Sequence, residues 1–156
     1  MYSSEVAFEF GKRTRNVAME LIKAISETLG LESDHIAKAM NWDNGLQILA
    51  ANFYPACPEP DRAIGIPPHT DHGLVTLLIQ NDTDGLQVQH KGKWVNWNAM
   101  PNAFVVNLGD QMQVLSRRTS IIFQRKNYAN FNSRAFIQCH GYIFSLQNHD
   151  KNISCF

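Results

Sequence analysis

The chain has 156 residues, of which 44% are hydrophobic and 18% are charged, a composition typical of one soluble globular domain. Its 14 basic and 14 acidic side chains balance, and no basic stripe with interleaved aromatic residues is present, which excludes nucleic-acid and membrane surfaces that bind through charge. The three cysteines, Cys57, Cys139 and Cys155, lack the spacing of a metal site and predict a reduced, cytoplasmic protein.

Residues 1–44 predict a helical segment that covers a sheet. Gly30 stands at a helix stop position, and Ser33 is the predicted N-cap of a shorter helix that runs towards Met40. The segment lacks the apolar region of a secretory signal, and no run in the chain approaches the roughly 20 apolar residues that cross a bilayer. The first helix is predicted from apolar residues at three- and four-residue steps: Val6, Phe10, Val17, Leu21, Ile25 and Leu29.

Residues 45–116 predict short β-strands, because the apolar period changes to two and turn residues become frequent. The two-residue step Lys91-Gly92 is a predicted hairpin tip. Short strands without helices between them favour an antiparallel sandwich or jelly roll. The predicted strands are Leu46–Tyr54, Gly65–Asp71, Leu74–Gln80, Leu86–His90, Lys93–Asn96 and Ala103–Leu108.

Residues 117–156 differ in texture from the rest of the chain. They contain no proline, one glycine and no clear alternation, and they are rich in Phe, Ile, Lys, Asn and Tyr. AT-rich codons specify those amino acids, so we interpret the segment as translated intron or frame-shifted sequence. A variable natural tail is the alternative interpretation.

The sequence His69-Thr70-Asp71 is the strongest local signal for chemistry. Residues two apart in a strand point to the same face, so His69 and Asp71 can approach one metal ion. An imidazole and a carboxylate are two thirds of the facial triad of two histidines and one carboxylate that binds iron(II). Taken alone, a His-x-Asp pair is more often a chance pair in a surface loop.

The wider pattern resembles the plant 2-oxoglutarate/iron(II)-dependent dioxygenases, the family that includes flavonoid, gibberellin and alkaloid oxidases. The resemblance covers roughly residues 1–116, and several ordered motifs at the family's spacing make it specific. These motifs are NFYP at 52–55, HTDHG at 69–73, LLIQ at 77–80, GLQV at 85–88, GKWV at 92–95 and PNAFVVNLGDQ at 101–111.

This resemblance implies a double-stranded β-helix, a jelly-roll barrel with N-terminal helices. It implies that His69 and Asp71 are metal ligands, and that Asn52 and Tyr54 bind 2-oxoglutarate by hydrogen bonds. It implies iron(II) as the metal and 2-oxoglutarate as the cosubstrate, admits ascorbate as an accessory, and gives no catalytic residue beyond the metal site. The implied reaction oxidises a small organic molecule of secondary-metabolite or hormone type and releases succinate and CO2. Alternation independently predicts that Asn52 and Tyr54 share one strand face, although Tyr54 alone would more often be a core residue.

The sequence departs from the family after residue 116. Counting along the family pattern places its second histidine ligand near position 125, where this chain has Arg125. The family's arginine–serine pair, which grips the far carboxylate of 2-oxoglutarate, is also missing, since Arg134 is followed by Ala135 and Phe136. His140 or His149 could replace the ligand only if the tail folds back. We therefore expect a truncated member whose barrel is incomplete at its C-terminus and whose iron binding is weak.

Three functions follow as hypotheses. The first is a family oxygenase that is weakly active or inactive. The second is a non-catalytic partial barrel that acts as an interaction or interfering module and self-associates through exposed strand edges. The third is a metal-binding barrel of cupin type that performs hydrolysis or isomerisation, against which the NFYP segment argues.

Overall fold

A computed structural model of the chain describes residues 4–59, 62–81, 83, 85–98, 100–116, 125–128 and 136–144. Within these ranges, no helix is both long enough and apolar enough to cross a bilayer. Arg134, His149 and Cys155, which the sequence analysis considered, lie outside the described residues.

Helix α1 spans Ser4–Thr28 and buries a line of residues spaced by four: Thr14, Ala18, Ile22 and Ser26. The predicted stripe lies beside this line, and the prediction was wrong for Val6 and Val17, which are 56% and 43% exposed. The small side chains of Ala18 and Ser26 account for the difference, because they let the helix approach its neighbours closely. Hydrophobic periodicity does not register such small contact residues.

Gly30 ends α1 as predicted. Its φ of +73° is in the left-handed region, its N–H bonds to the Glu27 carbonyl, and the Leu31 N–H bonds to the Ser26 carbonyl. These two bonds form a Schellman motif, which satisfies the last carbonyls of the helix. Helix α2 then spans His35–Ala39, preceded by Asp34 and not by the predicted cap Ser33, and a 3-10 turn follows at Trp42–Asn44.

Eight strands follow among the described residues, and each of the first six begins and ends within two residues of its predicted bounds; the second ends at His69 and not at Asp71. The Lys91-Gly92 tip is confirmed, since both residues have positive φ, as a two-residue type I′ hairpin turn requires. The strands are β1 (Leu46–Tyr54), β2 (Ile64–His69), β3 (Val75–Gln80), β4 (Leu86–His90), β5 (Lys93–Trp97), β6 (Val105–Leu108), β7 (Arg125–Tyr128) and β8 (Phe136–Phe144). A third helix, α3, spans Asp110–Leu115.

The strands form two four-stranded sheets, with the order β1-β8-β3-β6 in the first sheet and β2-β7-β4-β5 in the second. All the pairings are antiparallel, and the chain crosses repeatedly from one sheet to the other. This interleaved order is typical of a jelly roll. The described strands form two open sheets and not a closed barrel.

Strands β7 and β8 are interior strands, although the sequence predicted no barrel strand after residue 116. β8 joins β1 to β3, and β7 joins β2 to β4. Alternation arises where one face of a sheet is buried and the other is solvated, so the hydrogen-bonded pairing of a strand does not itself require it. The absence of alternation in residues 117–156 was therefore a poor guide to the absence of strands.

The hydrophobic core lies between the first sheet and the helices. Leu74, Val75 and Leu77 are at most 1% exposed. They belong to one cluster with Ala18 and Ile22 of α1, the α2 region and Met112 of α3. Odd-numbered residues of β3 thus face the helices, which leaves its even-numbered residues on the opposite face.

Candidate functional site

His69 is the last residue of β2, an edge strand that tolerates the two preceding prolines because an edge strand has one side without ladder bonds. Its Nδ1 lies 2.8 Å from the Pro67 carbonyl oxygen. A carbonyl can only accept, so Nδ1–H donates, and in the neutral ring Nε2 keeps its lone pair. This arrangement orients the imidazole as a metal-binding histidine is usually oriented.

Asp71 lies two residues further on, and its side chain is only 2% exposed. Its Oδ1 is 3.8 Å from Nε2 of His69, so the two side chains converge as the two-residue spacing predicted. Two atoms that each bind the same metal ion at about 2.1 Å lie roughly 3 Å from each other. The separation of Nε2 and Oδ1 in this structure is longer than that by less than about 1 Å. The imidazole nitrogen and the carboxylate oxygen therefore suit two adjacent positions on one metal ion.

Position 125 lies directly across from His69. In the antiparallel pairing of β2 with β7, the Cα partner of His69 is Arg125. Counting along the family pattern had placed the third ligand at this position. A guanidinium has no lone pair to donate and carries a positive charge, so it cannot act as a metal ligand. Among the described residues, no group of three His, Cys, Asp or Glu side chains is placed to hold a metal ion.

Position 140, considered as a source of a substitute histidine, lies in the first sheet. Its Cα partners are Ala50 on β1 and Leu78 on β3. His69, by contrast, pairs within the second sheet. The backbone thus places His140 in a different ladder from the one that contains His69 and Arg125.

Asn52 and Tyr54 share one face of β1. Both are half-buried, whereas Ala51 and Phe53 between them are exposed, and Phe53 is 64% exposed. The alternation predicted from the sequence is therefore present. Gln47, which has the other parity, donates hydrogen bonds to α1, so the opposite face of β1 is the one that meets the helix.

Three polar side chains that the sequence analysis did not single out have buried atoms without a hydrogen-bond partner. Within the described part of the chain these atoms include Thr76 Oγ1, both side-chain atoms of Gln80, and Asn107 Nδ2. Thr76 and Asn107 are Cα partners on β3 and β6, and Gln80 shares the strand face of Thr76. Buried polar atoms of this kind need a water or a polar ligand. The sequence marks Thr76 and Gln80 as the polar residues at the two ends of an otherwise apolar strand segment, Leu77–Ile79. Their even numbers place both on the face of β3 turned away from the helices.

The sequence matches the model of a protein family, the 2OG-Fe(II) oxygenase superfamily, over residues 45–129. It is 47% identical over 113 residues to 2-oxoglutarate-dependent dioxygenase 19 of Oryza sativa subsp. japonica, a match that covers 72% of this chain and 34% of that relative. It is 42% identical over 108 residues to flavonol synthase/flavanone 3-hydroxylase of Petunia hybrida, with 69% and 31% of the two chains covered. The chain thus spans about a third of the length of these curated relatives.

The fold is similar to that of JOX2, whose crystal structure contains 2OG, Fe and JA. The two structures superpose with a TM-score of 0.87 at 32% identity, over 90% of this chain and 42% of JOX2. This match supports the double-stranded β-helix type predicted from the sequence.

Proposed function

Because the chain belongs to the 2OG-Fe(II) oxygenase superfamily, we propose that it carries an incomplete iron(II)/2-oxoglutarate site that is weakly active or inactive. His69 and Asp71 are its two metal donors, and Asn52 and Tyr54 are its cosubstrate contacts. The observation that carries the proposal is the convergence of His69 Nε2 and Asp71 Oδ1 at 3.8 Å, next to a partner position occupied by Arg125.

The two donors fit a metal ion, whereas the third position does not. Iron(II), when bound with 2-oxoglutarate, would supply dioxygen-dependent oxidation of a small organic substrate, in which one oxygen atom of O2 enters succinate as CO2 is released and the other serves the substrate's oxidation. In this chain the ring tautomer of His69 and the burial of Asp71 preserve two ligands for it. At the position counted for the third ligand the chain has a positively charged arginine, and charge repulsion disfavours a divalent cation beside such a residue.

The substrate class proposed for the site is a small oxidisable plant metabolite or hormone. The named relative from Petunia hybrida acts on flavonoids, and the structure of JOX2 contains JA. Thr76, Gln80 and Asn107 have buried polar atoms on the face of β3 turned away from the helices, and we infer that this face forms a polar wall of the substrate cavity. A ligand with oxygen-bearing groups would satisfy these atoms.

An anaerobic iron(II) titration in the presence of 2-oxoglutarate tests the proposal through the weak visible charge-transfer band of the ternary complex. We expect a faint band or none for the wild-type chain, a stronger band for Arg125→His, and no band once His69→Ala is added to that variant. Cobalt(II) titrated alone, followed by its d–d absorption, separates metal binding from cosubstrate binding. A tight band in the wild type that His69→Ala removes would overturn the claim of an incomplete site, and an Arg125→His variant that binds cobalt(II) no better than wild type would overturn the assignment of position 125.

A non-catalytic module is the second candidate function. It is favoured by the sheet order, which leaves the nine-residue strand β1 at an edge with Leu46, Ile48 and Phe53 between 42% and 64% exposed. An unpaired edge with apolar side chains is a template for pairing with another chain. Sedimentation velocity across a concentration series tests this function, which requires a discrete oligomer, whereas a monomer or polydisperse aggregate argues against it.

A further inference from the structure

The corner between β6 and α3 packs against the loop that contains Asp71. The Gly109 N–H donates to the Leu74 carbonyl at 3.0 Å, and the Asp110 N–H donates to the Asp71 carbonyl at 2.7 Å. These bonds hold residues 71–74 at both ends. The loop therefore depends on a corner that is distant in sequence.

Asp71 lies two residues beyond the end of β2, which ends at His69. His69 is oriented by its own Nδ1 bond to the Pro67 carbonyl. Around Asp71, the contacts with the β6–α3 corner link the loop to a segment distant in sequence.

The Asp110 side chain contacts the residues on both sides of Asp71. Its Oδ2 accepts a hydrogen bond from Thr70 Oγ1 at 3.2 Å and lies 3.4 Å from Nδ1 of His72. His72 is 87% exposed at its side chain. The Asp110 carboxylate thus accepts a hydrogen bond from one neighbour of Asp71 and lies close to the other, while the backbone N–H of Asp110 donates to the Asp71 carbonyl.

We propose that Asp110 is a positioning residue that fixes residues 70–72 and so sets the separation between Asp71 Oδ1 and His69 Nε2. Its effect on metal binding rests on the proposed function, whereas its effect on the loop does not. Groups that orient metal ligands typically change metal affinity by about 10- to 100-fold when they are removed. We expect an effect at the lower end of that range, because the backbone bond from residue 110 to Asp71 survives a side-chain change.

The test compares Asp110→Ala with Asp110→Asn, which keeps the shape and one acceptor oxygen. The first readout is manganese(II) affinity, measured by loss of the free-ion signal in electron paramagnetic resonance, with His69→Ala as the site control. We expect Asp110→Ala to weaken binding about 10-fold and Asp110→Asn to stay within about 3-fold of wild type. Leu115→Ala, a truncation at the far end of α3 that leaves the Asp110 side chain in place, controls for general destabilisation and should leave the affinity unchanged.

The second readout needs no metal. The amide of residue 110 bonds to the Asp71 carbonyl, so its hydrogen exchange reports the corner directly. We expect exchange at this amide to be at least about 10-fold faster in Asp110→Ala, close to wild type in Asp110→Asn, and unchanged in Leu115→Ala.

The outcomes separate the two proposals. Unchanged exchange in Asp110→Ala would overturn the positioning role, whether or not manganese(II) binds. Faster exchange together with unaltered affinity would overturn its effect on the donor pair. If His69→Ala binds manganese(II) as well as wild type does, the proposed metal site is wrong, and the exchange data alone decide the role of Asp110 in the loop.

Discussion

Replacing Gly109 with alanine should strongly destabilise the protein, because the position has no space for a side chain. A Cβ built on Gly109 would lie 2.0 Å from the Gly73 carbonyl oxygen and 2.8 Å from that of Asp71. Both are backbone atoms, which cannot rotate away as a side chain can. The corner and the loop would have to separate by more than about 1 Å to reach ordinary van der Waals contact.

The magnitude follows from what that separation breaks. The hydrogen bonds from Gly109 to Leu74 and from Asp110 to Asp71 would lengthen or break, at about 0.5–1.5 kcal/mol each. Overpacking strain adds about 1–3 kcal/mol. The lower entropy of an unfolded chain with alanine offsets about 0.4–1 kcal/mol. We therefore expect Gly109→Ala to lower the free energy of unfolding by about 1–5 kcal/mol.

Gly11→Ala is the matched control, because it makes the same chemical change where there is room. Gly11 lies within α1, and a Cβ there would meet only Gln47 Nε2, at 3.9 Å. Alanine in a helix interior is favoured over glycine by about 0.5–1 kcal/mol, so this variant should be more stable than wild type.

Urea unfolding followed by circular dichroism measures both variants, and Gly11→Ala can serve as a stabilised host if Gly109→Ala alone unfolds. The reasoning would be refuted if Gly109→Ala unfolded within about 0.5 kcal/mol of wild type. The packing of the corner on the Asp71 loop would then be wrong.

Three further changes test other parts of the structure. Thr76→Val should raise the free energy of unfolding by up to about 1 kcal/mol, because it removes a hydroxyl that is buried without a partner. Thermal denaturation measures the change, and a clear loss of stability would show that a bound water or ligand satisfies the hydroxyl. Ile22→Ala should lower the free energy of unfolding by about 2–5 kcal/mol in urea, since Ile22 is 0% exposed in the core cluster; a loss below 1 kcal/mol would contradict the packing of α1. The hydrogen bond from Lys38 lowers the pKa of Asp34. The ionised Asp34 carboxylate therefore stabilises the fold at pH values above its usual pKa, and this stabilisation is lost as the pH falls through the lowered pKa. A carbon-13 NMR titration should give a higher pKa for Asp34 in Lys38→Ala, and an unchanged pKa would contradict the pairing.

The sequence predicted those parts of the fold whose cause is local. Gly30 and the Lys91-Gly92 tip were identified because positive φ strongly favours glycine and particular turn residues. Strands β1 to β6 were identified because they alternate or lie between turn residues. β7 and β8 were missed because their segments do not alternate clearly and their partner strands are distant in sequence.

In the site, as in the fold, the features with a local cause were predictable from the sequence and the contacts between distant segments were not. The two-residue spacing of His69 and Asp71 predicted their convergence, and the structure has it. The spacing did not reveal that β2 ends between them, so that the second donor depends on Gly109 and Asp110. No local pattern marked those two residues, because a contact between distant segments leaves no periodic trace.

The positions of the core and of the donor pair explain how this chain can retain a family fold with an altered ligand set. The core cluster joins the first sheet to the helices through residues such as Leu77 and Ile22. His69 and Arg125, in contrast, pair in the second sheet at the end of an edge strand. A change at position 125 therefore leaves the main source of hydrophobic stabilisation untouched, and Arg125→His should alter metal affinity far more than it alters the free energy of unfolding. That separation makes the reversion interpretable, because a gain of metal binding without a gain of stability can be attributed to the added imidazole and not to repair of the fold.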